Sequence, residues 1–382
     1  MALNYEDPVD TESLTKHVIT TLKWGDPDVI PAPWITVLIP TYKRQDLLEE
    51  AINSVLSQAP TDFYWDIVVL DNEADDGKTN DTEKLIRKID NKRILYYRNS
   101  ENIRPGDNFN RGLKIARGEW ICFLHDDDLL IFSALQRMAS LIRKTEKIKG
   151  KELGAISARY HQFVYDPKRH ITYADILGLN HFYSNVLPLD YGLYEITHAN
   201  IWFTANIGGD VPSNGTTFRR KAALECGGFI DDFGISGDLI LFYRMEKKYR
   251  VYSTSQPFGF YRWGNNTMSN PESTRRVIKD SYSFRKYVYS KNLLSKIGSL
   301  LFCRSHYFIF GKEVIEAKNC GLAREKWIKS EDFLTDGIKK PSHIQLLFFF
   351  IMRKLYFKAK GKQCNELRKR IQRMAASEAI SE

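Results

Sequence analysis

The motif of this chain that most clearly points to chemistry is a run of three aspartates, Asp126, Asp127 and Asp128, which we call the acid triplet. It follows His125 and an unbroken apolar run over residues 120–124. Neighbouring carboxylates raise one another's pKa unless a cation or hydrogen-bond donors compensate their charge. A hard divalent ion such as Mg²⁺ or Mn²⁺ takes oxygen ligands, so the triplet predicts a metal site. In a competing interpretation the aspartates cap a helix that starts directly after them, because aspartate is a favoured capping residue.

The apolar run before the acid triplet is typical of a strand that is buried on both faces. Two earlier stretches have the same order: a β-branched run over 35–39 leads into the loop 40–44, and the run 65–70 ends at Asp71 and Asn72. Segments with helical spacing separate these runs, which predicts a doubly wound α/β fold with a mostly parallel central sheet flanked by helices. Because ligands bind outside the carboxyl ends of such strands, these loops and the triplet are expected to line one crevice.

The chain divides into three predicted regions. Residues 1–33 are a polar arm that ends in a stiff Pro-Ala-Pro entry. Residues 34–275 form the main domain, with a first half over 34–150 and a second half over 151–275. Residues 276–382 are predicted to be helical and are increasingly basic.

The second half of the main domain is less regular than the first half. Residues 166–212 are loop-rich and aromatic. Long irregular segments in compact proteins are usually functional, so we interpret them as walls that face the substrates. Residues 251–253 and 258–261 are predicted to be strands of a small antiparallel element.

Composition and charge narrow the class of protein. A hydrophobic content of 43% and a charged content of 27% are ordinary for a folded globular protein, which argues against extensive disorder. The net charge of +9 indicates an anionic partner, such as a nucleotide or an acidic membrane surface. The 5 cysteines are widely spaced and form no CxxC pair, so they predict neither a disulfide framework nor a zinc site. The N-terminus lacks a signal-peptide pattern and no apolar run reaches the roughly 18 residues of a membrane span, so we predict a cytoplasmic protein.

A short and strongly apolar stretch over residues 344–352 precedes a group of basic residues, which are Arg353, Lys354, Lys358, Lys360 and Lys362. Two interpretations are open. A basic helix with an apolar face, over 340–375, can lie in an anionic membrane surface, which would place the protein peripherally at the inner face of the plasma membrane. The other interpretation is a helix packed on the main domain with its lysines in solvent.

Five segments of the chain together resemble the family 2 glycosyltransferases, a large inverting group built on the GT-A fold, and in particular those that build bacterial surface polysaccharides. The resemblance covers about residues 34–270 and rests on the order and spacing of these segments: 37–44, 68–72, 102–124, the acid triplet, and 226–229 with the later pair Gly237 and Asp238. It implies a Rossmann-like GT-A domain with a helical C-terminal extension. In that domain the half over 34–150 would bind the nucleotide-sugar, and the half over 151–275 would be the acceptor half. It also implies transfer of a sugar from a nucleoside diphosphate donor, in this interpretation a UDP-sugar, to a hydroxyl of a glycan or of a lipid-linked or protein-linked glycan.

The resemblance further implies roles for individual residues. The acid triplet stands in the family's DxD site, so Asp127 and Asp128 would bind Mn²⁺ or Mg²⁺. Asp238 would be the general base that deprotonates the acceptor hydroxyl, unless it is only the cap of a helix. The nucleotide-sugar would be held by a larger set, which comprises Pro40, Thr41, Tyr42, Arg44, Asp71, Asn72, Asn102, Asn110, Asp126 and Arg262.

Some members of this set have specific expected contacts. Asp71 would accept a hydrogen bond from the uracil N–H, and the competing interpretation is a turn-forming Asx residue. Tyr42 would stack on the uracil ring, and the competing interpretation is ordinary packing. Arg262, together with Lys43 or Arg104, would place fixed positive charge on the phosphates.

The chain departs from the family pattern at three positions. His125 stands where the first aspartate of DxD usually lies, and Gly237 stands where a glutamate usually precedes the base. The histidine that often follows a Tyr-Arg segment is not matched here. It therefore stays open whether His125, Asn265 or Asn266 helps to bind the metal.

Two other functions compete with glycosyl transfer. A sugar-phosphate nucleotidyltransferase of related fold would need a glycine-rich loop with a basic residue after the first strand, and the loop 40–43 has no glycine. The third hypothesis is a non-enzymatic basic protein that binds a membrane surface. Nucleic acid is not an expected partner, because aromatic and basic residues are not interleaved in any nucleic-acid motif.

Overall fold

The structure is a computed structural model, and it describes residues 5, 15–164, 192–196, 215–230, 237–263, 271–290, 296–297, 303–309, 311 and 338–381. The predicted substrate walls over 166–212 lie largely outside the described residues, as do Asn265 and Asn266.

One mixed sheet forms the centre of the domain. Its strands are β1 (Thr20–Trp24), β2 (Ile35–Thr41), β3 (Trp65–Asp71), β4 (Ile94–Asn99), β5 (Trp120–Phe123), β6 (Leu129–Leu130), β7 (Leu153–Val164), β8 (Tyr194–Glu195), β9 (Thr217–Arg219) and β10 (Arg250–Trp263). Their order is β1-β4-β3-β2-β5-β9-β7-β10-β6, with β8 paired to β10. The strands β4, β3, β2 and β5 run parallel to their neighbours in this group.

The order of the parallel strands reverses beside β2. The chain proceeds from β2 through β3 to β4 in one direction and then adds β5 on the other side of β2. Such a reversal leaves a crevice outside the carboxyl ends of the two strands that flank it, which is where open α/β sheets bind ligands. The loops after β2 and β5 therefore meet at this crevice.

Helices cover both faces of the sheet. They are α1 (Gln45–Leu56), α2 (Asp81–Ile89), α3 (Pro105–Ile115), α4 (Ala134–Glu146), α5 (Arg220–Glu225), α6 (Gly237–Lys248), α7 (Pro271–Tyr289) and α8 (His343–Ser381). The alternation of strands and helices confirms the α/β fold class and the helical C-terminal extension. Within the described residues, no helix combines the length and the apolar character that crossing a membrane requires.

The hydrophobic core lies in two layers, one on each face of the sheet. Along β2, Val37 and Ile39 pack into one layer and Leu38 packs into the other. Every residue of β2 and β3 is buried, as the unbroken apolar runs predict. Full burial of each such aliphatic side chain contributes about 1.5 to 3 kcal/mol, so the site is built on a rigid scaffold.

The acceptor half differs from the sequence prediction at β10. The stretches 251–253 and 258–261 are strands as predicted, but they belong to one long strand that pairs in parallel with β7 inside the main sheet. Each also pairs antiparallel with a short strand, the first with β8 and the second with β6. The antiparallel pairing is therefore confirmed, whereas a separate small element is not formed. The register shifts on both sides of Pro257. Proline occurs in strands mainly at such irregularities, which explains why the pattern suggested two strands.

The N-terminal arm is part of the domain. Its strand β1 pairs antiparallel with β4 and forms one edge of the sheet. Tyr5 is buried, and its carbonyl oxygen accepts a hydrogen bond from Arg244 Nε of α6 at 3.0 Å. The arm therefore joins both halves of the domain, although its polar sequence predicts only a peripheral entry.

His306 is expected to make the stability of the protein depend on pH. Its ring lies against Phe349 of α8 at 5.6 Å and is buried. Burial, together with the charges of Arg285 and Arg353, holds its pKa well below the ordinary value of 6.5. Below that pH the unfolded chain binds a proton at this histidine, whereas the folded protein does not. The free energy of unfolding is therefore expected to decrease as the pH decreases, by at most about 1.4 kcal/mol per pH unit.

Urea unfolding at neutral pH and at one unit below the ordinary histidine pKa would test this expectation. The His306→Gln variant should show a weaker pH dependence than the wild-type protein. Equal pH dependence in the two proteins would contradict the assignment.

Candidate active site

The candidate site lies at the carboxyl ends of β2 and β5, where the strand order reverses. Thr41, the last residue of β2, donates from its hydroxyl to Asp126 Oδ2 at 2.8 Å. Pro40 is buried inside β2, whereas the Tyr42 side chain that follows is 47% exposed. Lys43 has a positive φ of 54° and turns the chain into α1. The first predicted nucleotide loop therefore touches the acid triplet and presents one exposed aromatic ring.

The acid triplet forms a tight turn between β5 and β6. The backbone N–H of Asp128 donates to the carbonyl of His125 at 3.2 Å, and Leu129 continues directly into β6. The next helix, α4, begins only at Ala134. The interpretation of the triplet as a helix cap is therefore wrong.

Arg44 compensates part of the charge of the acid triplet. Its Nη1 lies 3.3 Å from Asp126 Oδ1 and 2.9 Å from Asp127 Oδ2, so it bridges the two carboxylates. Burial, and then the charge of Asp127, raise the pKa of Asp126 to about 6, although Arg44 and the Thr41 hydroxyl oppose that rise. The Arg44 guanidinium therefore lies between Asp126, which was predicted to bind the nucleotide-sugar, and Asp127, which was predicted to bind the metal.

Asp128 has a buried oxygen without a hydrogen-bond partner. The side chain is fully buried, and its Oδ1 accepts from the Arg262 backbone N–H at 2.9 Å. Its Oδ2 has no such donor. Burial, and then the charge of Asp127, raise the pKa of Asp128 well above its usual value. A carboxylate oxygen that is buried without a donor beside other acids is suited to a cation.

The described residues limit how a metal could be bound at the acid triplet. No cluster of three or more histidine, cysteine, aspartate or glutamate side chains arranged for a metal occurs in the described ranges. Mg²⁺ is often bound through one or two carboxylates, with substrate phosphates and waters as the other ligands. Asp127 and Asp128 fit that arrangement as its two carboxylates.

Arg262 lies directly against the acid triplet. Its Nε donates to the Asp127 carbonyl at 2.9 Å and its Nη2 donates to Glu50 of α1. The residue is only 3% exposed. Arg262 therefore braces β10 and α1 against the acid triplet, and its contact with the phosphates stays a prediction. The sequence did not predict the contact with Glu50, because an acidic residue on a helix such as α1 is typical of its solvent-exposed face.

Asp71 also has a mainly structural position. It is fully buried, and its Oδ2 accepts from the Tyr96 hydroxyl and from Asn80 Nδ2, each at 2.8 Å. Its Oδ1 accepts from the backbone N–H of Glu73 at 2.9 Å, which is an Asx turn. Burial raises the pKa of Asp71. The turn-forming interpretation thus describes this structure, and the loop after β3 covers the carboxylate.

Asn72 and Asn102 fix the loop before α3 against the end of β3. Asn72 Nδ2 donates to the Ile103 carbonyl at 2.7 Å, and its Oδ1 accepts from the Ile103 N–H at 3.1 Å. Asn102 is exposed, and its Nδ2 donates to the Asn72 carbonyl at 3.0 Å. Arg104 lies at the start of α3, where its Nε pairs with Asp107 at 2.8 Å. These polar residues shape the rim of the crevice beside Tyr42.

Asn110 of α3 clamps the segment that leads towards α6. Its Nδ2 donates to the Phe229 carbonyl at 2.7 Å, and its Oδ1 accepts from the Phe229 N–H at 2.8 Å. Gly228 has a φ of +60°, and a Cβ there would collide with Asn110 Oδ1. Both functional groups of the amide are therefore occupied, so Asn110 positions the Phe229 segment in this structure, and its contact with the nucleotide stays a prediction.

The Asn110 clamp is expected to stabilise the protein by about 2 to 4 kcal/mol. The Asn110→Ala variant would leave the buried N–H and carbonyl of Phe229 without partners, and each such group costs about 1 to 3 kcal/mol. Urea unfolding would measure the loss. Asn102→Ala is the matched control, because it removes one hydrogen bond at an exposed position. Equal losses in the two variants would contradict the role of the clamp.

An aromatic cluster connects the Phe229 segment to the acid triplet. The Phe229 ring lies 5.1 Å from Phe123 of β5 and 5.3 Å from Phe109 of α3. His125 packs against the same two rings, at 5.8 Å and 6.1 Å. Burial lowers the pKa of His125. The departure from the DxD pattern at His125 therefore places a ring in this cluster, directly before the triplet.

Asp238 lies in the first turn of α6, and it is partly buried. Its Oδ1 accepts from the backbone N–H of Leu239 at 2.7 Å. Further along α6, Phe242 packs on Phe218 of β9 at 5.4 Å, and Phe218 packs on Phe229 at 6.0 Å. The helix that carries Asp238 is therefore held by the same aromatic cluster that adjoins the acid triplet.

Part of the chain matches a known protein family. Residues 36–175 match the family model described as glycosyl transferase family 2. This match confirms the resemblance to that family that the motifs indicate. It includes the first nucleotide loop, the Asp71 turn and the acid triplet.

Two curated relatives illustrate the range of similar proteins. The chain is 38% identical over 110 residues to GalNAc(5)-diNAcBac-PP-undecaprenol beta-1,3-glucosyltransferase of Campylobacter jejuni, covering 28% of this chain and 33% of that protein. It is 36% identical over 104 residues to abequosyltransferase RfbV of Salmonella typhimurium, covering 26% of this chain and 30% of that protein. The chain thus spans about a third of the length of these relatives.

A solved structure, mannosyltransferase PcManGT from Pyrobaculum calidifontis in complex with GDP-Man and Mn²⁺, is also similar. It is 16% identical with a TM-score of 0.47, and the match covers 87% of this chain and 88% of that one.

Proposed function

We propose that the protein is a metal-dependent inverting glycosyltransferase that moves a sugar from a nucleoside diphosphate donor, a UDP-sugar, to a hydroxyl of a glycan. The observation that carries the proposal is the buried acid triplet at the strand-order reversal, where Asp128 Oδ2 lacks a hydrogen-bond donor. A site that keeps three buried carboxylates together is costly unless it binds a cation. The family match over residues 36–175 supports the same reaction.

The proposed donor site uses residues that the structure brings to one edge of the sheet. Asp127 and Asp128 would hold Mn²⁺ or Mg²⁺, whose Lewis acidity neutralises charge on the leaving diphosphate. The exposed Tyr42 ring would stack on the base, and Asp126 would bind the ribose. Asp71 would reach the base only after the loop that covers it has opened, because its carboxylate is fully buried.

Asp238 is the proposed general base. Its carboxylate lies in the first turn of α6 and is partly buried, and a carboxylate can accept the proton of an acceptor hydroxyl. One base that deprotonates the acceptor hydroxyl on the face opposite the leaving group gives a single displacement with inversion.

Arg44 is expected to compete with the metal for the acid triplet. Its guanidinium bridges the carboxylates of Asp126 and Asp127, so binding of a divalent ion must displace it, and it can then pair with the donor phosphates. The Arg44→Gln variant should bind Mn²⁺ without nucleotide at least about tenfold more tightly, because a charged hydrogen bond no longer has to be broken. UDP binding should weaken.

Calorimetric titration with Mn²⁺ alone and with UDP would measure both changes. Arg143→Gln is the matched control, because Arg143 pairs with Asp62 on the surface, away from the triplet. Unchanged Mn²⁺ affinity in the Arg44 variant would contradict the competition.

The acceptor is proposed to be a glycan carried by a lipid, at the cytoplasmic face of the membrane. The printed name of the Campylobacter relative contains a glycan linked to PP-undecaprenol, which supports this class of acceptor. The net charge of +9 suits both an anionic donor and an anionic surface.

A donor screen would test the proposed function. The full chain is incubated with Mn²⁺ and a panel of UDP-sugars and GDP-sugars, and the released nucleotide and sugar are identified. Release of UDP from one donor, lost when EDTA removes the metal, is the expected result. Formation of pyrophosphate from a nucleoside triphosphate and a sugar phosphate would instead favour the nucleotidyltransferase. Absence of any UDP or GDP binding would contradict both enzymatic hypotheses and would favour the non-enzymatic binding protein.

A further inference from the structure

The C-terminal helix α8 divides into two parts with different surroundings. Its second part packs on the main domain: Leu367, Ile371 and Met374 lie at helical spacing against the core. Gln363 Nε2 also donates to the Glu195 carbonyl of β8 at 3.4 Å. This part of the helix therefore agrees with the interpretation that α8 packs on the domain.

The first part of α8 exposes apolar side chains. Of the twelve large hydrophobic side chains that are exposed in the described ranges, seven lie between 344 and 357, and they are Ile344, Leu347, Phe348, Phe350, Ile351, Leu355 and Phe357. Four of them, Ile344, Leu347, Ile351 and Leu355, follow one another at intervals of three or four residues, and we call them the apolar stripe. Residues at these intervals share one face of a helix.

The apolar stripe faces away from the protein. Phe349 is buried at 8% exposure, where it packs with Cys303 and lies 5.6 Å from the His306 ring. At about 100° per residue, Phe349 lies on the side of the helix opposite Leu347. The contact through Phe349 therefore turns the stripe outwards, where Ile344 is 75% exposed and Leu347 is 63% exposed.

The chain around the apolar stripe carries only positive charge. Residues 343–365 contain no aspartate or glutamate, and the basic residues there are Arg353, Lys354, Lys358, Lys360 and Lys362. Lys354 and Lys358 are exposed and lie next to Ile351 and Leu355 on the helix surface. An exposed apolar face flanked by cations is complementary to an anionic lipid surface, which offers hydrocarbon below and negative head groups above.

We infer that residues 344–358 of α8 lie in the interface of an anionic phospholipid bilayer, with the apolar stripe at the acyl boundary and the flanking lysines on the head groups. The second part of the helix, held by Gln363 and Ile371, then ties the main domain to that surface. The two interpretations of the C-terminal sequence thus apply to different parts of one helix. This inference does not depend on sugar transfer, because lipid binding and donor turnover are measured separately.

Flotation of the full chain with lipid vesicles tests the inference. The wild-type protein is expected to float with vesicles of phosphatidylcholine mixed with phosphatidylglycerol, and much less with phosphatidylcholine alone. The double variant Leu347→Glu, Leu355→Glu should bind the mixed vesicles at least about a hundredfold more weakly, since two buried leucines are lost and two acids are added. Its matched control is Ile19→Glu, Tyr64→Glu, which alters two exposed apolar residues away from α8 and should bind as the wild type does.

A second pair of variants isolates the charge. Lys354→Gln, Lys358→Gln should weaken binding to the mixed vesicles by about thirtyfold, because each lysine near an anionic surface contributes about fivefold. Lys92→Gln, Lys149→Gln removes the same charge from exposed positions elsewhere and should have little effect. Thermal melting and UDP binding of all variants should match the wild type, which separates loss of lipid binding from loss of folding.

Two outcomes would overturn the inference. One is a wild-type protein that floats with neither kind of vesicle, or a stripe variant that floats as well as the wild type. The other is a wild-type chain that forms a dimer which the Leu347→Glu, Leu355→Glu variant cannot form, without vesicle binding by either protein. In that case the apolar stripe is an interface between two copies of the chain.

Discussion

Replacing Asp127 by asparagine is expected to lower the rate of sugar transfer by roughly a hundredfold to a thousandfold. The substitution keeps the size of the side chain and an oxygen for Arg44, but it removes one of the two carboxylate charges proposed to hold the metal. Mn²⁺-dependent binding of UDP should weaken together with turnover. Steady-state kinetics with the donor found in the screen, and calorimetric titration with Mn²⁺ and UDP, would measure the two effects.

The same substitution is not expected to unfold the protein. The charge of Asp127 raises the pKa of both Asp126 and Asp128, so the folded state already bears repulsion that asparagine would relieve. The melting temperature should stay equal or rise. Asp62→Asn is the matched control, because Asp62 also pairs with an arginine but lies on the surface. Full turnover by Asp127→Asn would remove the acid triplet from the mechanism.

Replacing Asp238 by asparagine is expected to lower turnover by about a hundredfold to ten-thousandfold, the usual contribution of a general base. Asparagine caps helices as well as aspartate does, so this variant keeps the structural role of the side chain and loses only the base. UDP binding should stay unchanged, because Asp238 is proposed to act on the acceptor. A lower kcat with unaltered donor affinity would therefore separate this effect from that of Asp127.

Asp81→Asn provides the control for Asp238. Asp81 also lies in the first turn of a helix, α2, but it is exposed and pairs only locally with Lys84. Its substitution should leave turnover unchanged. If Asp238→Asn keeps full turnover as well, Asp238 is only a helix-terminal residue, and the base must be another group.

The elements that carry the site could be predicted from the sequence. The unbroken apolar runs of β2, β3 and β5 report burial on both faces, which is a local property of the chain. Acids and turn residues directly after such runs mark the carboxyl ends of the strands. The acid triplet and the exposed ring of Tyr42 were found in this way.

The direction of individual side chains could not be predicted in the same way. The motif did not predict that the pairing of β10 with β6 brings Arg262 beside Asp127 and Glu50. It also did not predict that Asn110 clamps Phe229, which is 119 residues away in sequence. A motif reports that a residue lies near a site, whereas its partners come from segments that only folding brings together.

The acid triplet shows this division most clearly. Its composition, its position after a buried strand and its need for a compensating cation were all determined by the sequence, because charge and strand periodicity are local properties. Only the tertiary structure decided how the need is met: Arg44 bridges Asp126 and Asp127, while Asp128 keeps an oxygen without a donor. The physical reason is that solvation and pairing depend on every group around a buried charge. Those groups come from the β2–α1 region, from the segment after β5 and from β10, which are distant in the chain and adjacent in the fold.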